Sequence, residues 1–194
     1  MPRTRSDRGE RRAEIVRAAT EVIAERGYRG ATLAVVAERV GLTQQGLMHH
    51  FPTKEALLVA VLDARDQWDM AAAALALHGG RAWPLDVVAE LVEYNATRPG
   101  IVQAFTVLVG ESVTDGHPAQ EHFRERYARV RAGGADALRA AYGERLPGGL
   151  TPEQAAALLA AVMDGLQVQW LLDPGSVDMP AAFRDFLRLL APPA

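Results

Sequence analysis

The sequence predicts an all-α protein of about nine helices: a three-helix helix-turn-helix domain at the amino end and a larger helical domain after it. Three observations carry this prediction. Apolar residues recur at three- and four-residue spacing, Gly and Pro breakers cut the chain into helix-length segments, and no stretch alternates apolar and polar residues as a strand would. The 194 residues are 49% hydrophobic and 23% charged, an ordinary folded composition. There is no cysteine, which excludes disulfide scaffolds, thiolate zinc sites, iron–sulfur clusters and cysteine nucleophiles, and fits a reducing cytoplasm. The longest uninterrupted apolar run, Ala155 to Met163, is far short of the roughly 18 to 20 residues that span a bilayer. No apolar segment follows the charged start Met1 to Glu10, so neither a membrane span nor a secretory signal is expected.

The first helix is marked by Ile15, Ala18, Ala19, Val22 and Ile23, with Gly27 placed for a left-handed cap. Thr32 caps a second, two-turn helix that buries Leu33, Val36, Ala37 and Val40 and ends at Gly41. Thr43 caps a third short helix, which Phe51-Pro52 closes. Thr53 caps a long fourth helix that reaches the Gly79-Gly80 break, with Glu55 in its first turn where the helix dipole favours a negative charge. The body helices are then expected over Pro84 to Arg98, Ile101 to Val113 and Ala119 to Leu146. Gly133-Gly134 within the third of these predicts a kink or a close helix approach. Thr151-Pro152-Glu153-Gln154 is a capping box with proline at the first helical position, opening a helix to Leu172. Residues 155 to 163 of that helix are apolar all round, which predicts burial on two sides. Ala182 to Leu190 form an amphipathic last helix.

Charge is distributed unevenly. Residues 1 to 55 hold ten basic and seven acidic side chains, and the remainder eleven against seventeen, so a head of plus 3 precedes a body of minus 6. A basic head on an acidic body directs one end toward a polyanion. The two short helices joined by Gly41-Leu42-Thr43 form a helix-turn-helix, whose second helix fits a major groove about 12 Å wide. Its exposed residues, Thr43, Gln44, Gln45, His49 and His50, are hydrogen-bonding types. Glutamine pairs bidentately with adenine, and Gly46 allows a close backbone approach.

The stretch from Thr32 to Leu57 resembles the DNA-binding region of TetR-family transcriptional regulators. The resemblance rests on the Thr-capped helix, the turn Gly41-Leu42-Thr43, the His49-His50-Phe51 end of the recognition helix and Thr53-Lys54-Glu55-Ala56-Leu57. It implies that Thr32, Thr43, His50 and Lys54 contact phosphates while Gln44, Gln45, Gly46 and His49 face bases. Met48 departs from the pattern, which has tyrosine there, and reads as partly packed. The resemblance further implies a DNA-binding domain over 1–55 and a ligand-binding and dimerisation domain over 56–194. It implies a homodimer through the last two helices, a double-stranded pseudo-palindromic operator, and a small-molecule inducer that releases a cytoplasmic repressor. The alternatives are a small-molecule-binding helical protein without specific DNA binding, and a helical-bundle hydrolase.

No catalytic signature supports the hydrolase. Gly110-Glu111-Ser112-Val113-Thr114 lacks the second glycine of a nucleophile elbow and follows a helix where the elbow follows a strand. His117, Glu121 and His122 are too poorly spaced for a metal site, so no cofactor, metal or enzyme activity is expected. The basic tail, through Arg5 and Arg8, is a candidate for transient phosphate contact. Trp68, Tyr94, Phe105, Met163 and Trp170, with the polar Gln103, Glu111 and Gln167 on otherwise apolar helices, are the candidate ligand contacts.

Overall fold

Every segment that the breakers delimit is helical in the computed structural model, which describes residues 5–78 and 84–190, with the side chains of residues 9–67 and 85–190. The expected Gly79-Gly80 break, and the side chains of Arg5, Arg8 and Trp68, lie outside the described residues. The elements are α1 (Arg5–Gly30), α2 (Leu33–Arg39), α3 (Gln44–Met48), α4 (Lys54–His78), α5 (Pro84–Ala96), α6 (Pro99–Ser112), α7 (Gln120–Tyr142), α8 (Pro152–Leu172) and α9 (Met179–Leu190). No strand occurs among the described residues.

Local chemistry accounts for most boundaries. The hydroxyls of Thr32, Thr43, Thr53 and Thr151 accept the amides of Val35, Gly46, Ala56 and Gln154, each satisfying a donor that a helix start leaves unpaired. At Thr151 the capping box is complete, because Gln154 also accepts the Thr151 amide. Four boundaries differ from expectation. Gly27 is left-handed (φ 67°) as predicted, yet helix resumes beyond it to Gly30. Pro99 opens α6 where it was expected to act only as a stop, consistent with the preference of proline for a first helical turn. α7 ends at Tyr142 and not Leu146, because Gly143 turns left-handed (φ 77°) and returns its amide to Arg139. Asp178 starts α9 earlier than Ala182, its carboxylate accepting the Ala181 amide at 3.0 Å.

The chain divides into two compact units, one of residues 1–68 with 100–120 and one of residues 69–99 with 121–194. In the first, Ile15, Val22, Val36, Leu47, Phe51 and Leu62 are fully buried. In the second, α5, α8 and α9 pack around Leu85, Leu138, Met179 and Phe183. Burial of each such side chain is worth about 1.5–3 kcal/mol. The Gly133-Gly134 pair makes a close approach: a Cβ on Gly134 would lie 3.3 Å from that of Ala156 on α8.

α8 corrects two expectations. Its 21 residues are long and apolar enough, by length and composition, to cross a membrane; the run from Ala155 to Met163 understated this because Asp164 is the only charged residue between it and Leu172. Its burial is also one-sided within the chain. Ala155, Ala156, Leu159 and Ala160 are buried, whereas Ala157, Leu158, Ala161, Gly165, Val168 and Leu172 lie exposed along the opposite face.

Candidate nucleic-acid interface

The turn between α2 and α3 is built from backbone geometry. Gly41 takes φ 65°, the Leu42 amide returns to the Ala37 carbonyl at 2.8 Å and the Gly41 amide to that of Glu38 at 3.1 Å. This paired pattern satisfies the last carbonyls of α2 and requires a left-handed residue that only glycine adopts without strain. Thr43 then starts α3, and Leu47 and Phe51 anchor it to the core at 0% exposure each. The side chains left outside are Thr43, Gln44, Gln45, Met48 and His49, with Thr32 exposed at the start of α2; His50, Gly46 and Lys54 are half-buried. Met48 is 39% exposed, so it stands with the polar residues on the outer surface and is only partly packed.

Two arginines of α1 hold this element in place. Arg11 donates to the carbonyl of Val40, the C-cap of α2, at 2.8 Å. Arg12 donates to the His50 carbonyl at 2.8 Å while its guanidinium lies 4.0 Å above the Phe51 ring. Both cations therefore sit where helix carbonyl ends are most negative. These last two arginines of the basic segment thus brace the helix-turn-helix.

Lys54 is placed with similar economy. Its ammonium lies 4.1 Å over the Tyr28 ring and donates to the Arg29 carbonyl at 3.1 Å. Burial holds it below the ordinary lysine value, opposed in part by the carboxylates of Glu55 and Glu111. Burial and the neighbouring Glu55 push the Tyr28 hydroxyl up to about 12, and that hydroxyl donates to Glu55 at 3.4 Å. Among the described residues, then, the eight candidate DNA contacts come together on α2, α3 and the start of α4.

The candidate ligand contacts with described side chains are divided between the two units. Gln103, Phe105 and Glu111 belong to the first unit, and Tyr94, Met163, Gln167 and Trp170 to the second. Gln103 is exposed and donates to the Ala24 carbonyl at 3.1 Å; the Glu111 carboxylate accepts the Tyr28 amide at 2.8 Å and stands 3.9 Å from His117 Nε2. Both residues thus bond to backbone groups of α1. Phe105 is buried with the Arg65 guanidinium 5.3 Å from its ring centre. In the second unit, Met163 and Trp170 flank the core and Gln167 is buried without a side-chain hydrogen bond among the described residues. The reading from sequence did not include Tyr127 and Asp164, whose hydroxyl–carboxylate bond of 2.5 Å joins α7 to α8. The signal available was a lone acid in an apolar helix. Ser112, the only nucleophile considered, is buried and donates to the Val109 carbonyl.

An all-helical chain with a glycine-turned, threonine-capped reader helix braced from behind defines a helix-turn-helix DNA-binding protein. Residues 15–61 match the bacterial regulatory proteins of the tetR family, and residues 80–192 match the C-terminal part of BetI-type transcriptional repressors. The chain belongs to the TetR family of transcriptional regulators. It is 30% identical to the regulator BetI of Burkholderia thailandensis, over 94% of this chain and 94% of that protein. It is 29% identical to the regulator TtgR of Pseudomonas putida, over 91% of this chain and 88% of that one. Among solved structures, a TetR-family regulator from Rhodococcus sp. superposes with a TM-score of 0.75 at 25% identity, covering 94% and 98% of the two chains. The protein is accordingly a DNA-binding transcriptional regulator.

Proposed function

We propose that residues 1–55 read a pseudo-palindromic operator and that residues 56–194 dimerise and bind the small molecule that releases it, in the cytoplasm and without catalysis. The observation that carries this reading is the outward display of Thr43, Gln44, Gln45 and His49 on a helix whose other face is anchored by Leu47 and Phe51. Gln44, Gln45, His49 and the bare Gly46 meet base edges, and Thr32, Thr43, His50 and Lys54 meet phosphates. Two reader helices related by a twofold axis enter successive major grooves about 34–36 Å apart. If the dimer neutralises about 6–10 phosphates, affinity falls by roughly 10³–10⁵ between about 50 and 200 mM salt.

The exposed face of α8 supports α8 and α9 as the dimer contact. A stripe of Ala157, Leu158, Ala161, Gly165, Val168 and Leu172, joined by Leu189 of α9 at 77% exposure, is more apolar surface than an isolated chain leaves in water. A twofold pairing of this helix with its mate covers the stripe, and the small residues permit close approach. For the ligand, Tyr94, Met163, Gln167 and Trp170 are the proposed contacts. Gln167 is the proposed polar contact, as an amide side chain on a mostly buried residue of an otherwise apolar helix.

The deciding experiment selects bound sequences from a library of short duplexes at moderate salt and measures the mass of the protein in solution. Recovery of an inverted repeat by a species at twice the 21.0 kDa chain mass is the expected result. Binding that is salt-sensitive but indifferent to sequence would overturn the reader assignment and return the alternative of a ligand-binding protein without specific DNA contacts.

A further inference from the structure

We infer that Gln103 and Glu111 of α6 are positioning residues for DNA binding, because they supply from outside new partners for one donor–acceptor pair that the break in α1 at Gly27 separates. The inference rests on the proposed phosphate roles of Lys54 and Thr32. In an uninterrupted helix the Tyr28 amide would donate to the carbonyl four residues back, that of Ala24. At Gly27 the backbone leaves helical geometry (φ 67°, ψ 176°) and the two groups are parted. Each finds a substitute on the same helix: the Ala24 carbonyl accepts from Gln103 Nε2 at 3.1 Å, and the Tyr28 amide donates to Glu111 Oε2 at 2.8 Å. The two side chains are eight residues apart, the spacing of one helix face.

Gly27 is needed twice over. It supplies the positive φ, and a Cβ there would collide with Glu111 Oε1. His117 adds a brace from the turn that follows α6. Its Nδ1 accepts the Ala119 amide at 3.2 Å, which places the neutral ring's proton on Nε2, the buried atom that stands 3.9 Å from Glu111; the ring edge meets Tyr28 at 5.1 Å.

What the splice holds is short and functional. Tyr28 carries Lys54 over its ring, the Arg29 carbonyl accepts from the Lys54 ammonium, and the Thr32 amide closes on the Gly30 carbonyl at 2.9 Å before Thr32 caps α2. Residues 28–31 thus set both Thr32 and Lys54, and α6 fixes that segment through Gln103 and Glu111, the second of which also acts on the Lys54 charge. Left unpaired, the Tyr28 amide and Ala24 carbonyl would each draw the segment toward water or a new partner, moving Lys54 with it.

The test uses the full-length protein, the duplex recovered by selection, and the variants Glu111→Ala, Glu111→Gln, Gln103→Ala and Lys54→Ala. Tyr28 amide exchange in the free protein, dimer mass, and operator affinity across a salt series are read for each. Glu111→Ala is expected to accelerate exchange at Tyr28, to weaken operator binding about tenfold and to lower the salt slope toward that of Lys54→Ala, with the dimer intact. Glu111→Gln keeps an acceptor oxygen and restores both protection and affinity, which a purely structural loss would not do. Gln103→Ala removes one bond from an exposed side chain, folds normally, and shows a smaller loss of the same kind. A normal salt slope in Lys54→Ala defeats the phosphate role of Lys54 and this inference with it. If Lys54→Ala lowers the slope while Glu111→Ala and Gln103→Ala bind as wild type, the positioning role alone is overturned.

Discussion

The two units stabilise themselves with the same polar residue types used in opposite ways. In residues 1–68 with 100–120, charged and amide side chains mostly reach backbone groups: Arg11 to Val40, Arg12 to His50, Lys54 to Arg29, Gln103 to Ala24 and Glu111 to Tyr28. In residues 69–99 with 121–194 their bonds to backbone stay within four residues, as in Arg145 to Gly149 and Asp178 to Ala181, and most of the rest are surface ion pairs such as Arg184 with Glu93 and Arg188 with Asp185. A bond to a backbone group fixes where the chain runs, whereas an exposed ion pair is worth about 0–1 kcal/mol and fixes little. The first unit accordingly ties distant stretches of backbone together. The second is built to offer surface.

The largest test of this contrast compares two fully buried phenylalanines. Phe51→Ala in the first unit and Phe183→Ala in the second should each cost about 3–5 kcal/mol in urea unfolding, since both lie at 0% exposure. Phe51→Ala should also abolish operator selection by releasing α3 and Arg12, while Phe183→Ala leaves the reader's preference unchanged in whatever fraction remains folded. Equal loss of preference from both would erase the distinction between a geometric unit and a surface unit.

At the surface the contrast sharpens further. Leu158→Glu, on the exposed face of α8, should convert the dimer to a 21.0 kDa monomer in light scattering without lowering helicity. A dimer that survives it would move the contact away from α8. In the reader, Gln45→Ala should cost about 1–3 kcal/mol at one base position and relax preference there. Lys54→Ala should weaken all duplexes evenly and reduce the salt slope by about 1 per contact. Thr43→Ala removes a cap as well as a proposed phosphate contact, and about 1 kcal/mol of stability is its expected cost in the free protein by thermal melting.

The smallest effect concerns Asp164. Burial pushes this carboxyl above its ordinary value, outweighing the Tyr127 hydrogen bond and the nearby Arg126 charge that favour ionisation. A group whose folded value is raised contributes stability that is complete below its unfolded value and is lost as pH rises through the folded one. Asp164→Asn should therefore flatten the decline in stability with rising pH above the ordinary carboxylate value. An unchanged pH profile would show that the folded and unfolded values coincide.

Legibility from sequence followed the range of the interaction. Thr32, Thr43, Thr53 and the Thr151 capping box act on amides three residues away, and Gly41 acts on its own φ, so each was visible in the string of letters. The reader residues were legible for the same reason, since their exposure follows from the spacing of Leu47 and Phe51. The bonds of Glu111 and Gln103 to α1 were not legible because their partners lie 83 and 79 residues away. A polar residue on an apolar helix signals a buried obligation without naming who discharges it. The Tyr127–Asp164 pair, 37 residues apart, was missed on the same account.

By itself the sequence determined the helical class, the capped and glycine-turned reader and the outward set of hydrogen-bonding side chains, because caps, turns and amphipathic spacing are decided within a few residues. Only the tertiary structure decided that the break in α1 is closed by α6, that Arg11 and Arg12 brace the reader, and that one whole face of α8 is left uncovered. Those outcomes depend on which distant groups the packing brings within about 3 Å, a distance no local pattern encodes.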